Sequence, residues 1–215
     1  MRSPIEADGF RFIVPLLALT VVFYFLNWAV AMWTMIGLVA FVAYFFRDPT
    51  RVGPDGDDLM VAPADGKVAK IDTAYFSEDY PDGAICISIF LSIFNVHVQR
   101  IPVAGDVLRK IYNKGKFLAA WNHKASYDNE QNYVALDTKW GKVGIKQIAG
   151  LVARRIVCRV KMGQALQKGD RMGLIRFGSR VDLIIPSSAH IISKVGDKVK
   201  GGETVMARAP LEARR

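Results

Sequence analysis

The longest feature of the hydropathy pattern lies at the start, where no charged residue occurs from Phe12 to Phe46. As one helix that run would extend roughly 50 Å, well beyond a hydrocarbon core of about 30 Å. Asn27 and Trp28 break it near the middle, which predicts two short apolar helices, about 12–26 and 29–46, folded as a hairpin. Arg2 and Arg11 precede the run, and Arg47 and Arg51 follow it. Both ends satisfy the positive-inside rule only if both face the cytoplasm. The pattern therefore predicts an anchor over residues 1–46 in the cell (inner) membrane, spanning or re-entrant, with the next domain on the cytoplasmic side. A removed signal peptide would have a shorter apolar core and a small-residue cleavage site, and neither is present.

After Arg47 the pattern changes to short alternating runs between turn signals: Asp48-Pro49, Gly53-Pro54-Asp55-Gly56 and Pro63-Ala64-Asp65-Gly66. Strands are predicted at Ala84–Phe94, Val96–Val98, Val107–Tyr112, Tyr133–Asp137, Gly141–Ile148 and Val181–Ile185. Residues 148–160 fit a strand or a short helix equally well. No long amphipathic helix is evident. Residues 47–215 thus read as one mainly β (α+β) domain of short strands. Two segments look alike, Ala64–Ile71 and Val195–Val205, and both resemble the strand–turn units of lipoyl- and biotinyl-type barrels. They predict a barrel-like sandwich.

Composition narrows the function. The chain of 215 residues can bury a real core, and its formal charge is +9. Charges before Arg47 cancel, so the excess sits in the β domain. Its lysines and arginines are dispersed, with no basic helix or aromatic-interleaved stripe that would read bases, which favours an anionic membrane over nucleic acid. Two cysteines, Cys86 and Cys158, make neither a disulfide framework nor a metal spacing. Three histidines leave few groups for chemistry near neutral pH.

The candidate chemistry lies in Phe177-Gly178-Ser179-Arg180. A glycine before a serine permits unusual dihedrals and an unhindered carbonyl. In a strained turn, the Ser179 hydroxyl can add to the Gly178 carbonyl and exchange the amide for an ester. Elimination would then release the upstream chain, and the dehydroalanine left behind would tautomerise and hydrolyse, losing ammonia, to a pyruvoyl group. Alone, Gly-Ser is an ordinary turn.

Its surroundings give it meaning. In order, the chain carries Tyr44-Phe45-Phe46-Arg47-Asp48-Pro49, Ala62-Pro63-Ala64-Asp65-Gly66-Lys67-Val68 and Phe94-Asn95-Val96-His97-Val98-Gln99-Arg100-Ile101-Pro102. Lys124-Ala125-Ser126, Asn129-Glu130-Gln131-Asn132, the run Gln147–Ile156 and the Gly-Ser motif follow. Along nearly its whole length the sequence resembles the short, two-chain class of phosphatidylserine decarboxylases. The resemblance implies self-cleavage between Gly178 and Ser179 into chains 1–178 (beta) and 179–215 (alpha). These would remain together as a heterodimer, with further dimerisation left open. It implies a pyruvoyl cofactor made from Ser179, which forms a Schiff base with the substrate amine, accepts the electrons released with carbon dioxide and needs no metal. The product would be phosphatidylethanolamine.

The same resemblance gives His97 the role of acid that reprotonates the substrate carbon, and Asp65 a part in maturation, orienting or charging a histidine. Arg154 and Arg155 are candidates to clamp the lipid phosphate, or form a solvated face. Larger relatives carry a second histidine three residues after the first, where this chain has Arg100, so an Asp-His-Ser triad cannot be carried over whole. His97 then serves both steps, or another group activates Ser179. His123 reads as a surface or supporting residue and His190 as structural. Two rival readings are a non-enzymatic membrane adaptor built on a lipoyl-like barrel and a serine hydrolase, the latter lacking a Gly-x-Ser-x-Gly elbow.

Overall fold

The computed structural model describes residues 3–115, 129–150, 155–176 and 179–210. It divides into two compact units, Met1–Thr50 and Arg51–Arg215.

The first unit is the expected hairpin of α1 (Ala7–Phe25) and α2 (Ala29–Phe45). Asn27 makes the reversal with φ of 55°, a left-handed conformation that its short polar side chain tolerates. The helix starts earlier than hydropathy suggested because Asp8 lies in the first turn, where the helix dipole favours it. The open end is tied by Glu6 N–H to Phe46 O at 2.8 Å and Asp48 N–H to Pro4 O at 2.7 Å. Both ends therefore leave on one side. At Gly9 a Cβ would stand 2.7 Å from the Phe46 Cβ, so that close approach requires glycine. α1 is long and apolar enough to cross a membrane, while α2 has 17 residues. Their surfaces expose Phe25 and Val30 at 75% and 84%.

The second unit is built from β1 (Leu59–Val61), β2 (Gly66–Ser77), β3 (Tyr80–Leu91), β4 (Val98–Arg100), β5 (Gly105–Asn113), β6 (Gln131–Thr138) and β7 (Gly141–Ala149). It continues with β8 (Ile156–Cys158), β9 (Ala165–Leu166), β10 (Arg171–Ile175), β11 (Ser179–Pro186), β12 (His190–Ile191), β13 (Lys198–Val199) and β14 (Val205–Arg208). Eight strands form one antiparallel sheet in the order β13-β2-β3-β11-β7-β6-β5-β9. Two three-stranded sheets, β1-β14-β12 and β4-β10-β8, complete a mainly β sandwich, as the strand pattern predicted.

Alternation decides which side chains form the core. Val181, Leu183 and Ile185 share a face with Ile85, Ile87, Ile89 and Leu91 of β3 and with Val143 and Ile145 of β7. Met206 and Ala207 from one small sheet and Met172 and Ile175 from the other pack into the same apolar cluster. On the opposite face of β11, Arg180 Nε lies 3.0 Å from Asp182 Oδ1. Burial there pushes the Cys86 thiol up to about 12, with Asp182 adding to it, and holds the neighbouring Lys146 ammonium below its ordinary value.

Within the two look-alike segments, β13 pairs with β2 through Lys198–Lys67 and Val199–Gly66, and Gly196 N–H and Asp197 O bond the main chain of Val68 at 2.8 and 2.9 Å. The ambiguous run 148–160 contributes strand β8, and residues 151–154 lie outside the described ones.

Leu183→Ala should lower the unfolding free energy by about 3 kcal/mol, because it empties a wholly buried site on the central strand. Val52→Ala, at 84% exposure, should change it by less than about 0.5 kcal/mol. Denaturation midpoints in detergent check both.

Candidate functional site

β10 ends at Ile175 and β11 begins at Ser179. Phe177 and Gly178, the latter half of the expected scissile bond, lie outside the described residues. Ser179 is not itself in a turn. It is the first residue of β11, paired with Leu91 on one side and Ala149 on the other. Its side chain is wholly buried, and among the described residues its Oγ has no hydrogen-bond partner. Such a hydroxyl costs roughly 1–3 kcal/mol to bury. Alternation puts it on the core face, in line with Val181.

His97 reaches the same end of the sheet through a short turn. β3 stops at Leu91, opposite Ser179, and the next residues are locked by Asn95. The Asn95 Oδ1 accepts from Ser92 N–H at 2.9 Å and from the Ser92 hydroxyl at 2.8 Å, while Asn95 N–H donates to Ser92 O at 3.0 Å. His97 follows, 1% exposed, with Nδ1 2.9 Å from Asn95 O. A carbonyl can only accept, so that contact assigns the ring proton to Nδ1 and leaves Nε2 to gain and lose a proton.

Behind His97 runs a row of buried amides. Asn132 Nδ2 donates to Gln147 Oε1 at 2.9 Å, Gln147 Nε2 to Gln99 Oε1 at 2.9 Å, and Gln99 Nε2 to the His97 carbonyl at 2.8 Å. Beside it, Asn129 Nδ2 donates to Ala149 O at 2.7 Å, and Ala149 N–H to Glu130 O at 3.0 Å. Glu130 Oε1 accepts from Tyr112 Oη at 2.8 Å and Ile156 N–H at 3.1 Å. Burial and that carboxylate raise the Tyr112 phenol above its ordinary value.

Asp65 sits at the same end but two strands away. Lys67, two residues on, shares a cross-strand row with Phe90 and Arg180, which puts Asp65 roughly 10 Å from Ser179 by strand spacing. Its carboxylate accepts from Arg51 Nη2 at 2.9 and 3.2 Å and from Gly201 N–H at 2.8 Å. Arg51 also reaches Glu203 at 3.2 Å. Asp65 thus bonds an arginine and a main-chain amide and, among the described residues, no histidine. Arg100, in place of a second histidine, donates to Gly169 O at 3.1 Å.

Of the other candidates, Arg155 is exposed and its carbonyl accepts from Arg176 N–H at 3.1 Å, which brings it near the chain leading to Ser179. Arg154 and His123 lie outside the described residues. His190 is exposed in β12, opposite Arg208. Among the described residues no cluster of three His, Cys, Asp or Glu would hold a metal. The sequence reading missed Arg51 and the amides Gln99 and Gln147. A signal for Gln147 was present: in Gly141–Ala149 the inward positions are Val143, Ile145, Gln147 and Ala149, so a polar residue interrupts an apolar series. Arg51 carried none.

The site therefore holds a buried serine hydroxyl unencumbered by other bonds and an imidazole of defined tautomer, both set by the end of β3.

A family model described as phosphatidylserine decarboxylase matches residues 38–207. The phosphatidylserine decarboxylase proenzyme of Geotalea uraniireducens is 42% identical over 210 residues, 97% of this chain and 98% of the relative. The proenzyme of that name from Syntrophotalea carbinolica is 45% identical over 206 residues, 95% and 96% of the two chains. That from Symbiobacterium thermophilum is 43% identical over 212 residues, 98% of each.

Arg51→Ala would leave the Asp65 carboxylate buried with only the Gly201 amide, and should cost about 3 kcal/mol of stability. Arg51→Lys should restore only part, because an ammonium cannot reproduce the fork. Thermal unfolding of the three proteins measures it.

Proposed function

The chain belongs to the phosphatidylserine decarboxylase family, and from that membership we propose how its own residues carry out maturation and turnover. It is a phosphatidylserine decarboxylase proenzyme, a carboxy-lyase acting on a phospholipid. The observation that carries the residue-level reading is the buried Ser179 hydroxyl, without a competing hydrogen bond, at the head of β11.

In maturation, the Ser179 oxygen adds to the Gly178 carbonyl and gives its proton to a base. His97 is the candidate, with Nδ1–H held on Asn95 O and Nε2 as the proton-carrying atom. The amide becomes an ester, and loss of the serine α-proton then expels the carboxylate of residue 178. The products are chains 1–178 and 179–215. Their association is supported by β11 lying between β3 and β7, β13 on β2 and β14 on β1. Asp65 to Gly201 N–H and Arg51 to Glu203 add polar bonds between the two. This gives Asp65 the task of holding the cleaved pieces in register, in addition to any part in activating the serine.

Ser179 fits a pyruvoyl precursor on two counts: its position at the head of a locked strand and its dry, unbonded side chain. That group supplies a ketone able to take up the electron pair left when carbon dioxide departs. His97 returns a proton to the substrate carbon. Arg155, with Arg154, meets the lipid phosphate. The apolar hairpin anchors the enzyme in the cell membrane, with the β unit on the cytoplasmic side, where dispersed basic residues meet anionic lipid. The adaptor alternative assigns no task to Ser179 or His97.

Intact mass spectrometry should find two chains divided between Gly178 and Ser179, the second ending in a ketone that reacts with carbonyl-trapping reagents. Ser179→Ala should run as one inactive chain of 23.9 kDa, and a cut, active variant would remove Ser179 from the mechanism.

His97→Ala should lower turnover by roughly 10²-fold or more, as loss of a general acid does. Wild-type turnover in a decarboxylation assay would exclude it from the site.

A further inference from the structure

We propose that Gln99, backed in series by Gln147 and Asn132, is a positioning residue that fixes His97 through its main-chain carbonyl. The inference rests on the reading of His97 above and adds a means by which the fold holds it.

Three amide side chains lie inside an otherwise apolar core at 0%, 0% and 1% exposure. Their inward neighbours on β7 are Val143 and Ile145, and on β6 Val134 and Leu136. Aliphatic side chains fill those positions without the cost of roughly 1–3 kcal/mol that an unsatisfied buried amide carries. Stability alone therefore gives no reason for three amides in succession. Their arrangement does. Each NH₂ donates to the next carbonyl in one direction, from β6 through β7 to β4, and the last donates to His97 O at 2.8 Å. Aligned donors polarise one another and strengthen the terminal bond.

The His97 carbonyl has a second donor, Ile175 N–H, at 3.4 Å, longer than an ordinary bond. Ile175 also lies three residues upstream of Gly178, in the segment that becomes a chain end on cleavage. The Gln99 bond is shorter and comes from β4, which His97 directly precedes. It holds the histidine in place on both sides of the cleavage event. Gln147, meanwhile, pairs across the ladder with Val181, on the strand that Ser179 heads. The series thus ties the backbone bearing the nucleophile to the backbone bearing the proton carrier. Asn95, gripping the ring at Nδ1, and Gln99, gripping the carbonyl, define His97 from two sides.

The test uses the full chain. In the uncleaved Ser179→Ala background, imidazole NMR reads the His97 Nδ1 proton held on Asn95 O, independently of any cofactor. Gln99→Leu and Gln147→Leu should speed its exchange with solvent about tenfold, the equivalent of one neutral hydrogen bond. In the matured enzyme both should lower kcat about tenfold with KM within about twofold, and the double variant should be no worse than Gln99→Leu, because the links act in series. Gln99→Glu keeps the shape but loses the donor at neutral pH. Its deficit relative to wild type should narrow as pH falls and its protonated carboxyl donates in place of Nε2. Should Gln99→Leu fail to fold, Gln147→Met, one link back, carries the same expectation of about tenfold. A lowered melting temperature with wild-type proton exchange, kcat and pH profile would make the amides purely structural and overturn the proposal. His97→Ala separates the two levels. If it is inactive while Gln99→Leu behaves as wild type, this inference alone fails; if it turns over normally, the reading of His97 fails and takes the inference with it.

Discussion

The ladder that locks β11 on both sides governs everything else at this site. β11 is bonded to β3 from Ser179 to Pro186 and to β7 from Ser179 to Ile184, and it is central in the sheet. A central antiparallel strand has no freedom to slip, because a shift of one residue would turn Val181, Leu183 and Ile185 out of the core. The first residue of that ladder is Ser179. The proposed cleavage point thus directly precedes the first residue that the ladder holds. The same lock would give the chain terminus of the proposed cleavage a fixed location.

Polar chemistry is gathered at that end of the sandwich. Ser179, His97, the amide series and the Asp65–Arg51–Glu203 group all occur where β3, β4, β7 and β11 start or stop, or in the adjoining turns. Toward the other end the inward residues are aliphatic, from Ile85 and Ile87 to Leu183 and Ile185. Burying so many polar groups together is tolerable because most are bonded to one another. Among the described residues the Ser179 hydroxyl makes no such bond, so none would have to be broken in the attack proposed for it.

Much of this was legible in the sequence, for definite reasons. Lipid-length hydropathy with Asn27 at its centre gave the hairpin, and Val- and Ile-rich runs gave β3, β5, β6, β7 and β11 nearly in place. The look-alike turns read as parts of a barrel-like sandwich, and the structure adds that they supply β2 and β13, which pair with each other. Short strands such as β8, β9 and β12 escaped because two or three residues carry no periodicity, and β2 ran past Ile71 to Ser77 through polar positions that face outward. At the site, Ser179 and His97 were visible through their motifs. The partner of Asp65 was not: nothing local marks Arg51, since the two meet only when the linker after α2 folds back on the start of β2.

That pairing bears on which group activates the serine. Asp65 spends its oxygens on Arg51 and on the Gly201 amide, and Arg100, where larger relatives have a histidine, spends a nitrogen on Gly169 O. The Asp65 bond to Gly201 joins the 179–215 segment to the rest, whereas the Arg100 bond lies within residues 1–178. Among the described histidines, His190 belongs to β12 on the far small sheet, which leaves His97 as the one described imidazole at the Ser179 end. The order of events makes a single imidazole sufficient. In the proposed maturation Ser179 gives up its hydroxyl proton and then its α-proton before any lipid is bound, and the proposed turnover returns a proton to the substrate carbon only afterwards. One ring, held at its Nδ1 and at its carbonyl, can serve the two tasks in succession because they never compete for it.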